Sequence, residues 1–588
     1  MKNRSFLVAV CLLLVAAALF SCTTEGNATT TVTKPDIKDV IGDIDTSIDN
    51  DDTNADYTDD GATRIVFSEN EVSVKGLGAA AQGSTVKIGS EGTYIFSGSS
   101  SDGYIIVDAN KVEVKIVLEG LSLSNDDGPA IIVKNAKKVT ITLANGTDNY
   151  LSDGSSYQLN EGNATVDGAI FSKSELVING EGSLNVNGNN AHGIVSKKGL
   201  TIAGGDISVN SKGAGICGKN YLKITNSNIT VNSGTDGLKS DNMEDVGMGY
   251  VYIQGGSFDI TSANDAIQAY YLVSIEGGSF NIKTTSTLST ASSKGIKGVT
   301  GVAISGGTFT INAQDDGIHS DGDVMISGGS ISVSSADDGV HANDKLDIMG
   351  GQLVIEKSYE GLEAAEISIS DGSVEINASD DGMNAAGGND ESTGTNAGPG
   401  WDMFESSDGK ISISGGYTII HAEGDGVDAN GNVEISGGVV LVDGPSHGGN
   451  GSMDYNGEAS ITGGVFVALG TKDMAQNFSS ATQGSFLLSN GSFSAGTLIS
   501  VCDENGSVIA AFRSTKAFNC ITVSAPELKQ GATYTVYKNA SVSGLDENGF
   551  AHNTTQTGGE TCGTVTLSSL VTGGTSGGFP GGGGRPPR

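Results

Sequence analysis

The chain has 588 residues, 88 of them glycine and 37% hydrophobic. Its 69 acidic side chains against 32 basic ones leave a formal net charge of −37. That charge excludes nucleic acid and anionic lipid surfaces as direct partners, because both need Lys/Arg clusters; an anionic partner would need a bridging divalent cation. Glycine at this level without a Gly-X-Y period excludes collagen, and the alternating strands described below exclude simple disorder.

At the start, Lys2 and Arg4 precede a short apolar run at 6–20, followed by the small Ser21. The run is too short for a comfortable membrane span and reads as a signal peptide. Leu19-Phe20-Ser21-Cys22 resembles a bacterial lipobox, with Phe20 as its departure, and would make Cys22 the lipidated first residue of the mature chain. The bland alternative is an ordinary cleaved signal with a chance cysteine. The expectation is an exported protein, lipid-anchored to the bacterial membrane at the cell surface, touching the membrane only through its anchor; the leaflet is left open. Residues 1–22 are thus the lipoprotein signal and 23–62 a Thr/Asp-rich, disordered linker.

From residue 63 to 480 the chain repeats. A small turn residue precedes a strand at Gly256, Gly278, Gly307, Gly329, Gly351, Gly372, Gly416, Gly438 and Gly464, with a basic step of 22 lengthened by insertions. Apolar residues alternate on both sides of that turn: Val324 and Ile326, then Ile331 and Val333; Leu346 and Ile348, then Leu353 and Ile355. A third apolar position follows an acidic turn, at Leu238, Ile267, Ile318, Val340, Leu362, Met383 and Val427. Period two is the strand period, and three short strands per 22 residues make one coil of a parallel β-helix. A propeller blade needs roughly 40 residues and does not fit. The expected fold is all-β: a right-handed parallel β-helix of ~22-residue coils, a monomer, with a small C-terminal antiparallel β cap.

One corner of each coil is acidic: Asp236-Gly237, Asn264-Asp265, Asp315-Asp316-Gly317, Asp337-Asp338-Gly339, Glu360-Gly361, Asp380-Asp381-Gly382 and Asp425-Gly426. Carboxylates stacked about 4.8 Å apart repel by roughly 3.5 kcal/mol at an effective dielectric near 20. They must either splay into water or share cations, and calcium suits a carboxylate-rich corner because it takes several oxygen ligands in flexible geometry. The competing account is that Asp-Gly is simply good turn chemistry. The expected calcium ligands are Asp236, Asp265, Asp315, Asp316, Asp337, Asp338, Glu360, Asp380, Asp381, Asp425 and Asp428. Three residues on, a second outward column offers His319, His341, Glu363, Asn384 and Asp428, with further oxygens at Asp321, Asp344 and Asn430. The column is a candidate contact for sugar hydroxyls; the two histidines could also ligate a transition metal, but are expected as surface residues.

The insertion at 387–410 carries the only tryptophan, Trp401, a candidate sugar platform, beside Phe404. Tyr250, Tyr252, Tyr270 and Tyr271 are weaker candidates. Lys239, Lys294, Lys297 and Lys345 are the bases available to a lyase, and each is expected as a solvated surface charge. No arginine lies between residues 65 and 512. Gln314-Asp315-Asp316 resembles a polygalacturonase acid motif only superficially, since the accompanying Gly-His-Gly and Arg-x-Lys are missing.

Residues 425–476 combine Asp425-Gly426-Val427-Asp428-Ala429-Asn430-Gly431, Val442-Asp443-Gly444-Pro445, Gly449-Asn450-Gly451-Ser452-Met453-Asp454-Tyr455 and Met474-Ala475-Gln476. With the repeated Ser-Gly-Gly and Asp-Asp-Gly units from about 63 to 540, this resembles a family of exported carbohydrate-binding β-helix proteins described from cellulose-degrading anaerobes. The resemblance implies a pectate-lyase-like β-helix, bound calcium, and binding of cellulose or acidic sugar polymers without catalysis. It alone adds Asp454 and Tyr455 to the candidate carbohydrate contacts. Glu360, Glu363 and the histidine pair depart from the family pattern. The functional expectation is calcium-dependent binding of plant cell-wall polysaccharide without cleavage. The alternatives are a calcium-dependent lyase of pectate-lyase type, or a glycan-independent surface adhesin or spacer.

After about 480 the period fades into alternating segments, so 481–572 reads as a β cap or sandwich over a helix end that would otherwise be a bare sheet edge. Residues 573–588 form a Gly-rich tail expected to be disordered. Cys217, Cys502, Cys520 and Cys562 allow three disulfide pairings, with Cys502–Cys520 preferred because their strands are neighbours in sequence.

Overall fold

The structure is a computed structural model and describes residues 37–69, 71–157, 166–288, 290–385 and 409–574. Three parallel ladders run through it. The first stacks Leu272–Ile275, Gly301–Ile304 and Asp323–Ile326 in register. The second stacks Ser279–Thr284, Thr308–Asn312 and Ser330–Ser334. The third stacks Ile267–Ala269, Ile296–Gly298, Ile318–Ser320 and the start of Val340–Ile348. Each coil crosses all three ladders, as the 22-residue period requires.

The inward residues stack on their own kind. Phe258, Phe280 and Phe309 lie face to face with centroids 4.6 and 4.5 Å apart. Val324, Ile331, Leu346, Leu353 and Leu362 join them in one continuous buried core. The recurrent turn glycine has a physical reason. Gly351 sits at φ 84°, and a Cβ there would lie 2.8 Å from the backbone of the coil before. The longer steps are excursions at 241–249 and at 285–288 and 290–292, which leave the ladders in register.

At the C-terminal end, Cys520–Ala525 pairs antiparallel with Val465–Gly470, the last strand of the second ladder, and with Gly484–Leu488. Beyond it a six-stranded antiparallel sheet runs in the order Ser541–Val542, Ala551–Thr557, Ser507–Arg513, Leu498–Cys502, Thr533–Lys538, Glu560–Thr566. This division overturns the Cys502–Cys520 disulfide. The two strands neighbour each other in sequence but serve different sheets, and Cys217, Cys502, Cys520 and Cys562 are all free thiols.

The expected disordered linker is corrected from residue 37 onward. Helix α1 (Ile37–Asp43) buries Ile37 and Val40, which join Ile44 against Tyr250, Tyr252, Leu272 and Ala303. Helix α2 (Asn50–Thr53) follows. Lys223 pairs with Asp45 at 2.9 Å and Lys138 with Asp52 at 2.7 Å, while the Asn179 amide donates to the Asp52 carbonyl at 2.8 Å. The apolar residues Ile37, Val40 and Ile44 recur at helical spacing inside an acidic composition, and composition alone hid them. Two of the weaker sugar candidates, Tyr250 and Tyr252, are buried beneath this strap, and Tyr271 donates to Asp43 at 3.2 Å.

Candidate metal centre

The acidic corner forms where each coil enters the third ladder. Backbone bonds from Gly237 to Asp265, Ala266 to Lys294, Gly295 to Asp316, Gly317 to Asp338, Gly339 to Glu360, Gly361 to Asp381 and Gly382 to Asp425 set its order, all between 2.8 and 3.0 Å. The resulting column is Asp236, Asp265, Lys294, Asp316, Asp338, Glu360, Asp381, Asp425. Several carboxylates do turn work as well: one oxygen accepts the backbone N–H of the equivalent residue on the next coil. Asp265 takes Lys294 N at 2.9 Å, Asp316 takes Asp338 N at 3.1 Å and Asp381 takes Asp425 N at 2.6 Å. Asp425 accepts the Gly451 N–H in the same way. Turn chemistry and a stack of like charges therefore coexist in the same residues.

The second column is in strict register: Lys239, Gln268, Lys297, His319, His341, Glu363, Asn384, Asp428, Asp454. The two columns lie three residues apart on each coil, so acids of one meet side chains of the other.

Neutralisation of the acids changes along the rod. Lys294 occupies the acidic slot itself; its Nζ lies 2.5 Å from Asp316 Oδ2 and 3.1 Å from Asp315 Oδ1. The expectation of a solvated lysine fails here because only 9% of the side chain is exposed. These two carboxylates hold its ammonium well above the ordinary lysine range despite burial. Lys239 is likewise tied to Asp236, at 2.7 Å. The signal for it lies in the sequence: Lys294-Gly295 stands where other coils have Asp-Gly.

The histidines are also corrected. His319 and His341 are buried at 5% and 0% exposure and stack with centroids 4.8 Å apart. They are interior because each ring stacks on the other and is flanked by side chains of its own and the next coil: Asp316 and Asp321 at His319, Asp338, Asn343 and Glu363 at His341. His319 bridges Asp316 and Asp321, each at 2.8 Å. His341 Nδ1 faces Asp338 Oδ2 at 3.0 Å and Glu363 Oε2 at 2.8 Å. Burial, reinforced by the Asp316 and Glu363 charges, pushes the Asp338 carboxyl up to about 9. Burial pulls His341 down, but its bonds to Asp338 and Glu363 win and raise it to about 11.

Further along, no base enters. Among the described residues no lysine, arginine or histidine forms an ion pair with Asp381, Asp425 or Asp428, whose carboxylates lie within 4.8 Å of one another. Burial is the first cause of each shift here, and neighbouring carboxylates add to it: Glu360 is pushed up to about 8, Asp381 to about 7, Asp425 to about 8 and Asp428 to about 6. Asn384, 9% exposed, donates its amide to Glu360 at 2.9 Å, while its carbonyl oxygen is buried without a partner. Asp315, Asp316 and Asp337 form a further close group, and Asp380 neighbours Asp381 on its turn. These acidic and His-bearing clusters can hold a metal ion. The residues fit one where oxygen donors accumulate and no protein cation answers them.

Of the resemblance-derived contacts, Asp454 continues the second column and bonds the Gln476 amide. Tyr455 turns its hydroxyl to the Asn477 carbonyl at 2.7 Å and packs its ring against the core. Trp401 and Cys22 lie outside the described residues.

With this fold and corner established, the class follows. A family model for carbohydrate-binding domain-containing proteins matches residues 82–339 and 335–529, and the chain belongs to that family. A carbohydrate-binding domain-containing protein of Acetivibrio thermocellus is 37% identical over 157 residues, which is 26% of this chain and 55% of that relative. The matched stretch thus spans about half of the relative's length. A solved polysaccharide lyase-like protein from C. thermocellum, a gadolinium derivative, is 30% identical, covering 45% of this chain and 96% of that one, with a TM-score of 0.37.

Proposed function

We propose that this protein is a calcium-dependent carbohydrate-binding surface lipoprotein, anchored through Cys22, that holds acidic plant cell-wall polysaccharide without cleaving it. One observation carries the reading: Asp381, Asp425 and Asp428 converge with no basic partner among the described residues, beside an Asn384 carbonyl oxygen that lacks a donor. Three carboxylates and an amide oxygen, on two paired strands and the turns that enter them, suit a hard cation that prefers oxygen. Bound calcium would supply a positive charge shared between the column and the carboxylates of an acidic glycan. Family membership supplies the carbohydrate.

The non-catalytic part rests on the bases. Proton abstraction needs a free one; of the four candidate lysines, Lys239, Lys294 and Lys345 are held by carboxylates at 2.7, 2.5 and 3.0 Å, which leaves Lys297 as the base a lyase would have to use. The acids also repeat coil after coil, whereas a catalytic pair is singular.

The test is retention on polygalacturonate. Binding should appear with calcium, vanish with chelator, and vanish in Asp425→Asn/Asp428→Asn. An unsaturated product would replace this reading with a lyase. No retention under any condition would leave a surface spacer.

A further inference from the structure

The coil that carries Asp338 meets its charge problem differently from its neighbours. One coil earlier, Asp316 is answered by the Lys294 ammonium. Two coils later, Asp381 faces only oxygen ligands. Between them, two carboxylates from successive coils converge on one imidazole nitrogen. We propose that Asp338, His341 and Glu363 form a binding site for a transition-series divalent cation of the zinc class, separate from the oxygen-only cluster at Asp381, Asp425 and Asp428.

The geometry is that of a ligand set. Asp338 Oδ2 and Glu363 Oε2 lie 3.0 and 2.8 Å from the same His341 Nδ1. All three residues sit on paired strands of the third ladder or its entering turn, so their spacing is set by β register. The far side of the ring is fixed as well: His341 Nε2 lies 2.9 Å from Asn343 Oδ1, an acceptor. With Nε2 donating to that oxygen, the neutral imidazole would present its Nδ1 lone pair between the carboxylates. An outer oxygen that orients a histidine in this manner is the usual companion of a metal-bound imidazole.

Burial demands that the group be neutral. An imidazolium offers a single Nδ1–H to two carboxylates, so protons alone achieve this only when the Asp338 carboxyl is protonated as well; Asp338 and His341 are 2% and 0% exposed. A divalent ion with a neutral imidazole and two carboxylates brings the group to zero, which burial favours. The donor types then select the ion. One nitrogen and two carboxylate oxygens suit zinc at bond lengths of about 2.0–2.2 Å, with a fourth position left open. Calcium wants six to eight oxygens, and imidazole favours zinc, copper or nickel. His319 does not extend the site, because its carboxylate Asp316 already holds Lys294.

The inference stands apart from the carbohydrate reading and is tested separately. The full-length chain, stripped by chelator and then kept in excess calcium to fill oxygen-only sites, is titrated with Co²⁺. Expected is one equivalent giving intense visible bands of low-coordinate cobalt, displaced by Zn²⁺. Glu363→Gln, at a partly exposed side chain, and His341→Gln should each abolish the bands. Asn343→Ala should keep them with affinity about 10–100-fold weaker. Asp425→Asn should leave them unchanged. No visible bands, or bands that survive His341→Gln and Glu363→Gln in folded protein, would overturn the site.

Discussion

The ammonium of Lys294 and the carboxylate of Asp316 lie 2.5 Å apart across one turn of the helix, 22 residues apart in sequence and both buried. This pair is the protein's own answer to a ladder of like charges, and beyond it no lysine enters the acidic column among the described residues.

Removing one partner should therefore cost more than removing both. Lys294→Met strands Asp316, which is 0% exposed, and should destabilise by about 3–5 kcal/mol. Lys294→Met/Asp316→Asn should recover much of that. Chemical denaturation of the three proteins checks the order; equal losses in single and double variants would refute it.

The proposed calcium site predicts the opposite sign. Burial, with repulsion from Asp381 and Asp428, raises the Asp425 carboxyl, and its Oδ1 accepts the Gly451 N–H. Asp425→Asn keeps that acceptor and removes a charge, so without calcium it should raise the melting temperature. The wild type should gain about 2.7 kcal/mol at calcium 100-fold above its dissociation constant, and the variant much less.

Acid should loosen the cap before the rod. Asp443, on the second ladder, accepts from Thr515 N at 2.9 Å, from Ser514 and Thr515 hydroxyls, and from His421 at 3.2 Å. Burial raises its pKa, but those donors win and hold it below the ordinary carboxylate range. A depressed folded-state value means that its contribution is present above about pH 4, and is lost as pH falls through the folded value. Hydrogen exchange at 514–516 should rise in that window. Asp443→Asn should remove the pH dependence at a cost of about 1.5–3 kcal/mol.

The strap should peel when its apolar face is broken. Val40 is 1% exposed against the Tyr250 cluster. Val40→Asp forfeits about 1.5–3 kcal/mol of burial, and limited proteolysis should then cut within 37–62 while the rod resists. Unchanged protection there would show that the Lys223 and Lys138 pairs alone secure it.

The phenylalanine stack should be the costliest core site. Phe280 lies between Phe258 and Phe309, 4.6 and 4.5 Å away. Phe280→Ala should destabilise by about 3–5 kcal/mol, measured by denaturant midpoint at unchanged slope.

The repeat was legible because a solenoid writes its architecture locally. Turn glycines with left-handed φ and alternating apolar residues recur every coil, and register follows once the period is known. Hence Asp316, Asp338, Glu360 and Asp381 could be placed in one column, and His319, His341, Glu363 and Asn384 in another, from spacing alone. The cap was legible as a loss of period, but which strand closes the rod was not. Cys520–Ala525 and Leu498–Cys502 read alike, and only packing assigns them to different sheets.

What the amino-acid order determined by itself was the coil, its three faces and the stacking of its acids, because each depends on contacts one turn away. What the tertiary structure decided was how those acids are neutralised and what covers them. Burial of His319 and His341, the ammonium of Lys294 inside the column, and the strap whose Asp52 meets Asn179 across 127 residues all depend on side chains converging from distant segments. Charge balance in a low-dielectric corner is set by those three-dimensional neighbours, and no period in the sequence records them.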